Sequence, residues 1–187
     1  MPCLSEVDGR KLLGLARKAI VEALTRKELP ETIPHEGIFG ERRGVFVTLH
    51  VGGELRGCIG TTESDERLGD ATVRCAASAA LHDPRFPPIR GVELQALNIE
   101  ISVLSPLTPI RPEDIEIGRH GLVVSDEGHS GLLLPQVAPQ HGLNREQFLA
   151  ETCRKARLPR DAWRWPSTRI EAFTCEVFSE AKSASAD

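Results

Sequence analysis

The sequence predicts an α+β fold, with a mostly antiparallel sheet and flanking helices, on three observations. Amphipathic helical periods stand near both ends of the chain, and runs of period two gather between them around glycine turns. Strands and helices do not alternate strictly, as a parallel sheet would require. The length of 187 residues suits a single domain, with a smaller lobe allowed inside it. Residues 5–180 are expected to be its ordered core and 181–187 a frayed tail.

Ser5 and Asp8 stand in capping-box spacing ahead of Leu12, Leu15, Ala16, Ala19, Ile20 and Ala23, which share one helical face. The segment from Pro30 to Gly44 has prolines, glycines and no sustained period, so it reads as a connecting loop. β-formers then flank Gly52-Gly53, a hairpin signal. A two-residue turn there pairs Leu49 with Arg56 and Val47 with Cys58, which points Arg56 and Cys58 to one face and His50 to the other. A second helix is expected before Pro84, and the proline-rich stretch Asp83–Pro88 becomes a stiff turn. Leu97, Ile99, Ile101 and Val103 alternate as a strand, and Asp126, Gly128 and Ser130 separate two apolar runs of a second hairpin. A last helix ends before Pro159, Trp163 and Trp165 anchor the turn that follows, and residues 168–178 form one closing strand.

The composition narrows the function classes. A hydrophobic share of 40% and a charged share of 27% belong to an ordinary globular chain. The formal net charge of -4 provides no broad positive field to gather phosphate backbones. Five cysteines, odd in number and without a CxxC pair, suggest neither a disulfide framework nor a zinc knuckle, so a reducing cytoplasm is the expected location. No apolar run approaches the length that spans a bilayer, and no membrane role is expected.

The chemistry centres on "ELRGCIGTTE". Cys58 lies two residues after Arg56 and between Gly57 and Gly60, and a guanidinium beside a thiol favours the reactive thiolate. The same thiol also suits a packed strand as a small hydrophobe, with the glycines admitting a close neighbour. Asp83 and Arg85 sit beside prolines that hold them rigid, either as part of a site or as a pair that caps the turn. The GxxG spacing of residues 57–60 matches a nucleotide clamp, but that clamp joins two helices, whereas this one falls on a strand. His35, His120, His129 and His141 lie in separate loops without metal-ligand spacing, and no phosphate loop, dinucleotide fingerprint or serine-hydrolase elbow occurs. No metal and no cofactor are expected.

Taken together, "FVTLHVGGELRGCIGT", "DPRFPP", "LNIEISVLSP", "HGLVV", "GLLLPQVA" and "FLAETCRKARLP" resemble, in order and spacing, the AMMECR-type domain family, whose hallmark is LRGCIG. The resemblance implies one such domain of two closely packed subdomains with an α+β fold. It also implies partnership with a Memo-like protein and a radical SAM protein, beside which bacterial relatives are often encoded. The hallmark falls on Leu55, Arg56, Gly57, Cys58, Ile59 and Gly60, and the second signature on Asp83, Pro84, Arg85, Phe86, Pro87 and Pro88. The family carries no established catalytic residues. This chain departs from it at Arg157, where glycine is usual, and at Leu132, where bacterial relatives often have threonine.

Two function classes follow. One is a ligand- or partner-binding component of a multi-protein enzyme system, with Arg56, Gly57, Cys58, Gly60, Asp83 and Arg85 at the binding place and a small anion held by the two arginines. The other is an enzyme that works on RNA or a small molecule in a cleft at the Cys58 strand, with Cys58 as the catalytic candidate. Nucleic acid is not an expected partner of the chain alone. Fluorescence anisotropy with a single-stranded RNA at physiological salt should show only weak binding that fades as salt rises, and submicromolar affinity would contradict the charge argument.

Overall fold

A computed structural model of the chain describes residues 4–26, 28–62 and 65–180. The expected tail, 181–187, lies outside the described residues. The described residues divide into two compact units, one formed by those up to Leu104 together with Glu176–Glu180 and the other by Ser105–Cys175.

The first unit begins with α1 (Glu6–Thr25), whose start follows from local chemistry. Ser5 Oγ accepts from the Asp8 N–H at 3.2 Å while the Asp8 carboxylate accepts from the Ser5 N–H at 3.1 Å, so two N-terminal donors are satisfied reciprocally. A turn of 3₁₀ helix at Gly37–Gly40 interrupts the connecting loop. It is followed by β1 (Val45–Val51), β2 (Glu54–Thr61) and α2 (Leu68–Leu81). Both Gly52 and Gly53 take positive φ, 60° and 87°, as a primed two-residue hairpin turn requires. After the proline-rich turn, β3 (Leu97–Leu104) pairs antiparallel with β1, Val47 opposite Ile101 and Leu49 opposite Ile99. These residues and α1 and α2 make one core, in which Leu12, Ala16, Ile20, Leu68 and Ala76 are fully buried.

The second unit contains β4 (Thr108–Pro109), β5 (Gly121–Asp126), β6 (His129–Leu133), the short α3 (Val137–Gln140), α4 (Arg145–Lys155) and β7 (Arg169–Phe173). Its sheet runs in the order β4-β7-β5-β6, with antiparallel pairing throughout. The core gathers Leu122, Val124, Phe148, Leu149, Cys153 and Ile170. Trp163 packs against this core, whereas Trp165 is 40% exposed, so only the first of the two tryptophans anchors the turn.

The closing segment differs from expectation. Instead of one strand, it breaks at Thr174 into β7 and β8 (Cys175–Ser179), and β8 belongs to the first unit's sheet, ordered β2-β1-β3-β8. The Thr174 N–H donates to Ser105 Oγ at 3.0 Å and its carbonyl accepts from the Ser105 N–H at 2.9 Å. This exchange takes up the backbone where the strand changes sheets.

Arg157 has a conformational cost. It follows α4 at φ 61°, the left-handed position of a helix stop, with the Leu158 N–H closing back on the Cys153 carbonyl at 2.9 Å. A side chain is strained there and glycine is not. Arg157→Gly should therefore raise stability by about 0.5–1 kcal/mol, read as a higher urea midpoint with an unchanged m value.

Candidate functional site

The register of the β1–β2 hairpin decides which way the Cys58 strand faces, and it departs from the expected pairing. Val51 pairs with Glu54 and His50 with Leu55 as expected, but a bulge between Leu49 and His50 then advances β2 by one residue. Leu49 faces Gly57 and Thr48 faces Cys58, so Arg56 is the extra residue of the bulge. Cys58 consequently shares a face with Thr48 and His50 rather than lying opposite His50. Val47, Leu49, Gly57 and Ile59 turn the other way, toward the helices.

Gly57 is required by that packing. A Cβ on it would collide with the Ala79 carbonyl of α2, so β2 approaches the helix as closely as a backbone can. A Cβ on Gly60 would meet the Phe46 ring. Both glycines of the hallmark act as close-approach positions.

β2 is the edge of its sheet, and the N–H and C=O of Cys58 point away from β1. The proline-rich turn occupies them. The Cys58 N–H donates to Asp83 Oδ2 at 2.8 Å, and the Cys58 carbonyl accepts from Arg85 Nη2 at 3.2 Å. Asp83 is only 4% exposed and also accepts from the Arg85 N–H, Nε and Nη2 at 3.1, 3.0 and 2.7 Å. The hydrogen bonds from the Arg85 side chain are the main reason its carboxyl lies well below the usual carboxylate range. Burial opposes them, and the Cys58 and Arg85 backbone N–H groups add to them.

Arg56 reaches a different part of the same segment. Its Nε donates to Glu93 Oε1 at 2.9 Å, Nη1 to the Pro87 carbonyl at 2.6 Å and Nη2 to the Pro88 carbonyl at 3.2 Å. Glu93 in turn accepts from the Arg90 N–H at 2.8 Å, which caps the 3₁₀ turn Gly91–Glu93. The structure thus brings Arg56, Cys58, Asp83 and Arg85 around one stretch of β2, with each arginine already charge-paired, to Glu93 and to Asp83.

The outer face of the sheet carries groups that the sequence reasoning missed. Cys58 is half-buried, and its Sγ accepts from Thr48 Oγ1 at 3.3 Å. Thr48 stands opposite Glu100 on β3, and His50 stands opposite Asn98. The side chains of His50 and Glu100 have no hydrogen-bond or ion-pair partner among the described residues, and Asn98 Oδ1 accepts from Ser179 Oγ at 3.2 Å. Only the alternation of β1, read together with a bulge position, could have singled out Thr48 and His50. Among the described residues no group of three His, Cys, Asp or Glu side chains converges as a metal site. No helix among them is long and apolar enough to cross a membrane.

The AMMECR1 family profile matches residues 13–178. The chain belongs to the AMMECR1 family. It is 44% identical over 189 residues to a protein of Methanosarcina barkeri, covering 95% of this chain and 92% of the relative. It is also 46% identical over 186 residues to a protein of Thermococcus gammatolerans, covering 92% and 90%. The crystal structure of an uncharacterized Pyrococcus horikoshii protein superposes with a TM-score of 0.86 at 42% identity, over 92% of this chain and 91% of that one. In this AMMECR1 protein the hallmark and the proline-rich signature are hydrogen-bonded to one another.

That bonding has a pH signature. The depressed Asp83 carboxyl contributes stability that is complete above its unfolded value, about 3.9, and is lost as pH falls through its folded value. Asp83→Asn should destabilise the native state by about 1–3 kcal/mol at neutral pH, because Arg85 is half-exposed and its freed charge returns to water. Urea unfolding measured at stepwise lower pH should show the gap between the variant and the parent narrowing below about pH 4.

Proposed function

We propose that this AMMECR1 protein is a ligand- or partner-binding component of a multi-protein enzyme system, with a Memo-like protein and a radical SAM protein as its partners. The single observation that carries the reading is the commitment of the signature charges. Asp83, Arg85, Arg56 and Glu93 bind one another and the backbone of β2, which leaves the Cys58 thiol and its neighbours on the outer sheet face as the chemistry turned outward. A rigidly backed face with uncommitted polar groups suits recognition. The half-buried row of Cys58, Thr48 and Glu100, with His50 beside it, is where contact is made.

A second reading, an enzyme that uses Cys58 as nucleophile on a small molecule or RNA, is favoured by the shared face of Cys58, Thr48 and His50. Against it, the Arg56 guanidinium that would have activated the thiol is held by Glu93 and two proline carbonyls.

Calorimetric titration of the folded chain with the purified Memo-like and radical SAM proteins of the same source should give saturable binding to at least one. His50→Ala with Glu100→Ala should weaken it about tenfold or more while the melting curve is kept. Absence of binding to both partners defeats the proposal. In parallel, a thiol probe at neutral pH should label Cys58 no faster than free cysteine, and rapid stoichiometric labelling would transfer the argument to the enzyme reading.

A further inference from the structure

Helix α1 contains two glycines with unequal reasons to be there. The space beside Gly9 is filled by the Phe178 ring, so a side chain would collide with it. Gly14 is exposed, and a Cβ placed on it would have no atom within 4 Å. Glycine in a helix interior weakens it relative to alanine, and nothing in the protein's own packing asks for one at position 14.

Gly14 does lie on the wall of a cavity of about 520 Å³ between α1 and the 32–39 segment. Lys11, Gly14, Leu15 and Lys18 line it from the helix, a spacing of three, four and seven residues that places all four on one face. Thr32, Pro34, Glu36 and Phe39 line the opposite side. Leu15 and Phe39, each 8% exposed, make an apolar floor, and neither Lys11 nor Lys18 has an ion-pair partner within 4.0 Å among the described residues. The missing side chain at Gly14 keeps the space beside that floor open. The volume is that of a small-molecule site, and its walls combine an apolar base with two cations one helical turn to either side of Gly14 and Leu15.

We propose that this α1 cavity is a binding site for a small amphipathic carboxylate, an acyl or aryl acid whose apolar body lies over Gly14, Leu15 and Phe39 and whose carboxylate is held by Lys11 and Lys18. The site is separate from the Cys58 face. Its residues come from α1 and the 32–39 segment, whereas Cys58 lies on the sheet face turned away from the helices. Glu36 also lines the cavity and repels multiply charged anions, so the ligand carries a single negative charge.

The test is a ¹⁵N NMR titration of the full chain with sodium octanoate, beside octan-1-ol and sodium acetate. Octanoate should saturate with a dissociation constant of about 1 mM or below, an ordinary efficiency for about ten non-hydrogen atoms, and should shift the amides of residues 11–18 and 32–39. The neutral alcohol and the short acid should each bind at least about fivefold more weakly. Gly14→Leu fills the space with a good helix former, so it should raise the melting temperature and abolish octanoate binding. Lys11→Gln with Lys18→Gln should weaken octanoate about fivefold or more while leaving octan-1-ol unaffected. No saturation below about 10 mM, shifts confined to other residues, equal binding of the alcohol, or undiminished affinity in Gly14→Leu would each overturn the proposal.

Discussion

The carboxylate of Asp83 is the constraint from which the candidate site is built. A carboxylate that is 4% exposed survives as an anion only if its oxygens are filled, and here four N–H donors fill them. Three come from Arg85, two residues away in a turn stiffened by prolines, so little entropy is lost in assembling them. The fourth comes from Cys58, 25 residues earlier in the chain, and it locks two distant segments together. Hydrogen bonds to a charged group contribute about 1.5–3 kcal/mol each, more than an ordinary ladder bond.

The same interaction solves a problem of sheet architecture. β2 is an edge strand, and an unprotected edge offers its backbone to any passing strand. The Asp83 carboxylate and the Arg85 guanidinium take the Cys58 N–H and C=O as a neighbouring strand would, and Arg56 ties the following prolines to the same edge. From beneath, the Gly57 contact with Ala79 sets the height of the strand above α2. β2 is therefore fixed along its edge and on its core face. Its outer face alone remains uncommitted, and Cys58 stands in the middle of it.

Much of the fold was legible because its signals are local. The Ser5–Asp8 box, the apolar face of α1, the Gly52-Gly53 turn and the alternation in β3 each lie within a few residues, where periodicity and turn chemistry act. The bulge at Arg56 was not legible, since Arg56 fits a regular strand as well as a bulged one and only the fit of Gly57 against α2 selects the register. A one-residue shift was enough to carry Cys58 to the face of His50. The exchange of sheets at Thr174 escaped although the apolar phase changes beside it, from Ile170 and Ala172 to Phe173, Cys175 and Val177; the partner that divides the strand, Ser105, is 69 residues away. Asp83 and Arg85 were visible as a pair, but their common partner, the Cys58 backbone, carries no sequence signal at all.

The thiols show why position decides their chemistry. Cys75 is fully buried in α2, and burial pushes its thiol up to about 11; Cys153, fully buried in α4, is pushed up for the same reason. Neither presents a thiolate at neutral pH, and both pack as small hydrophobes. Cys58 lies outside the helix-facing core because the bulge turns it to the other side of the sheet. Had β2 kept a regular register, its side chain would have pointed at Ala79, where the structure admits only hydrogen at Gly57. Arg56, by occupying the bulge, thus puts the glycine inward and the cysteine outward, and its guanidinium then anchors the proline segment that holds the turned strand in place. The order Arg-Gly-Cys in the hallmark is accounted for by this geometry: a bulge residue that reaches sideways, a residue without a side chain against the helix, and a thiol on the open face.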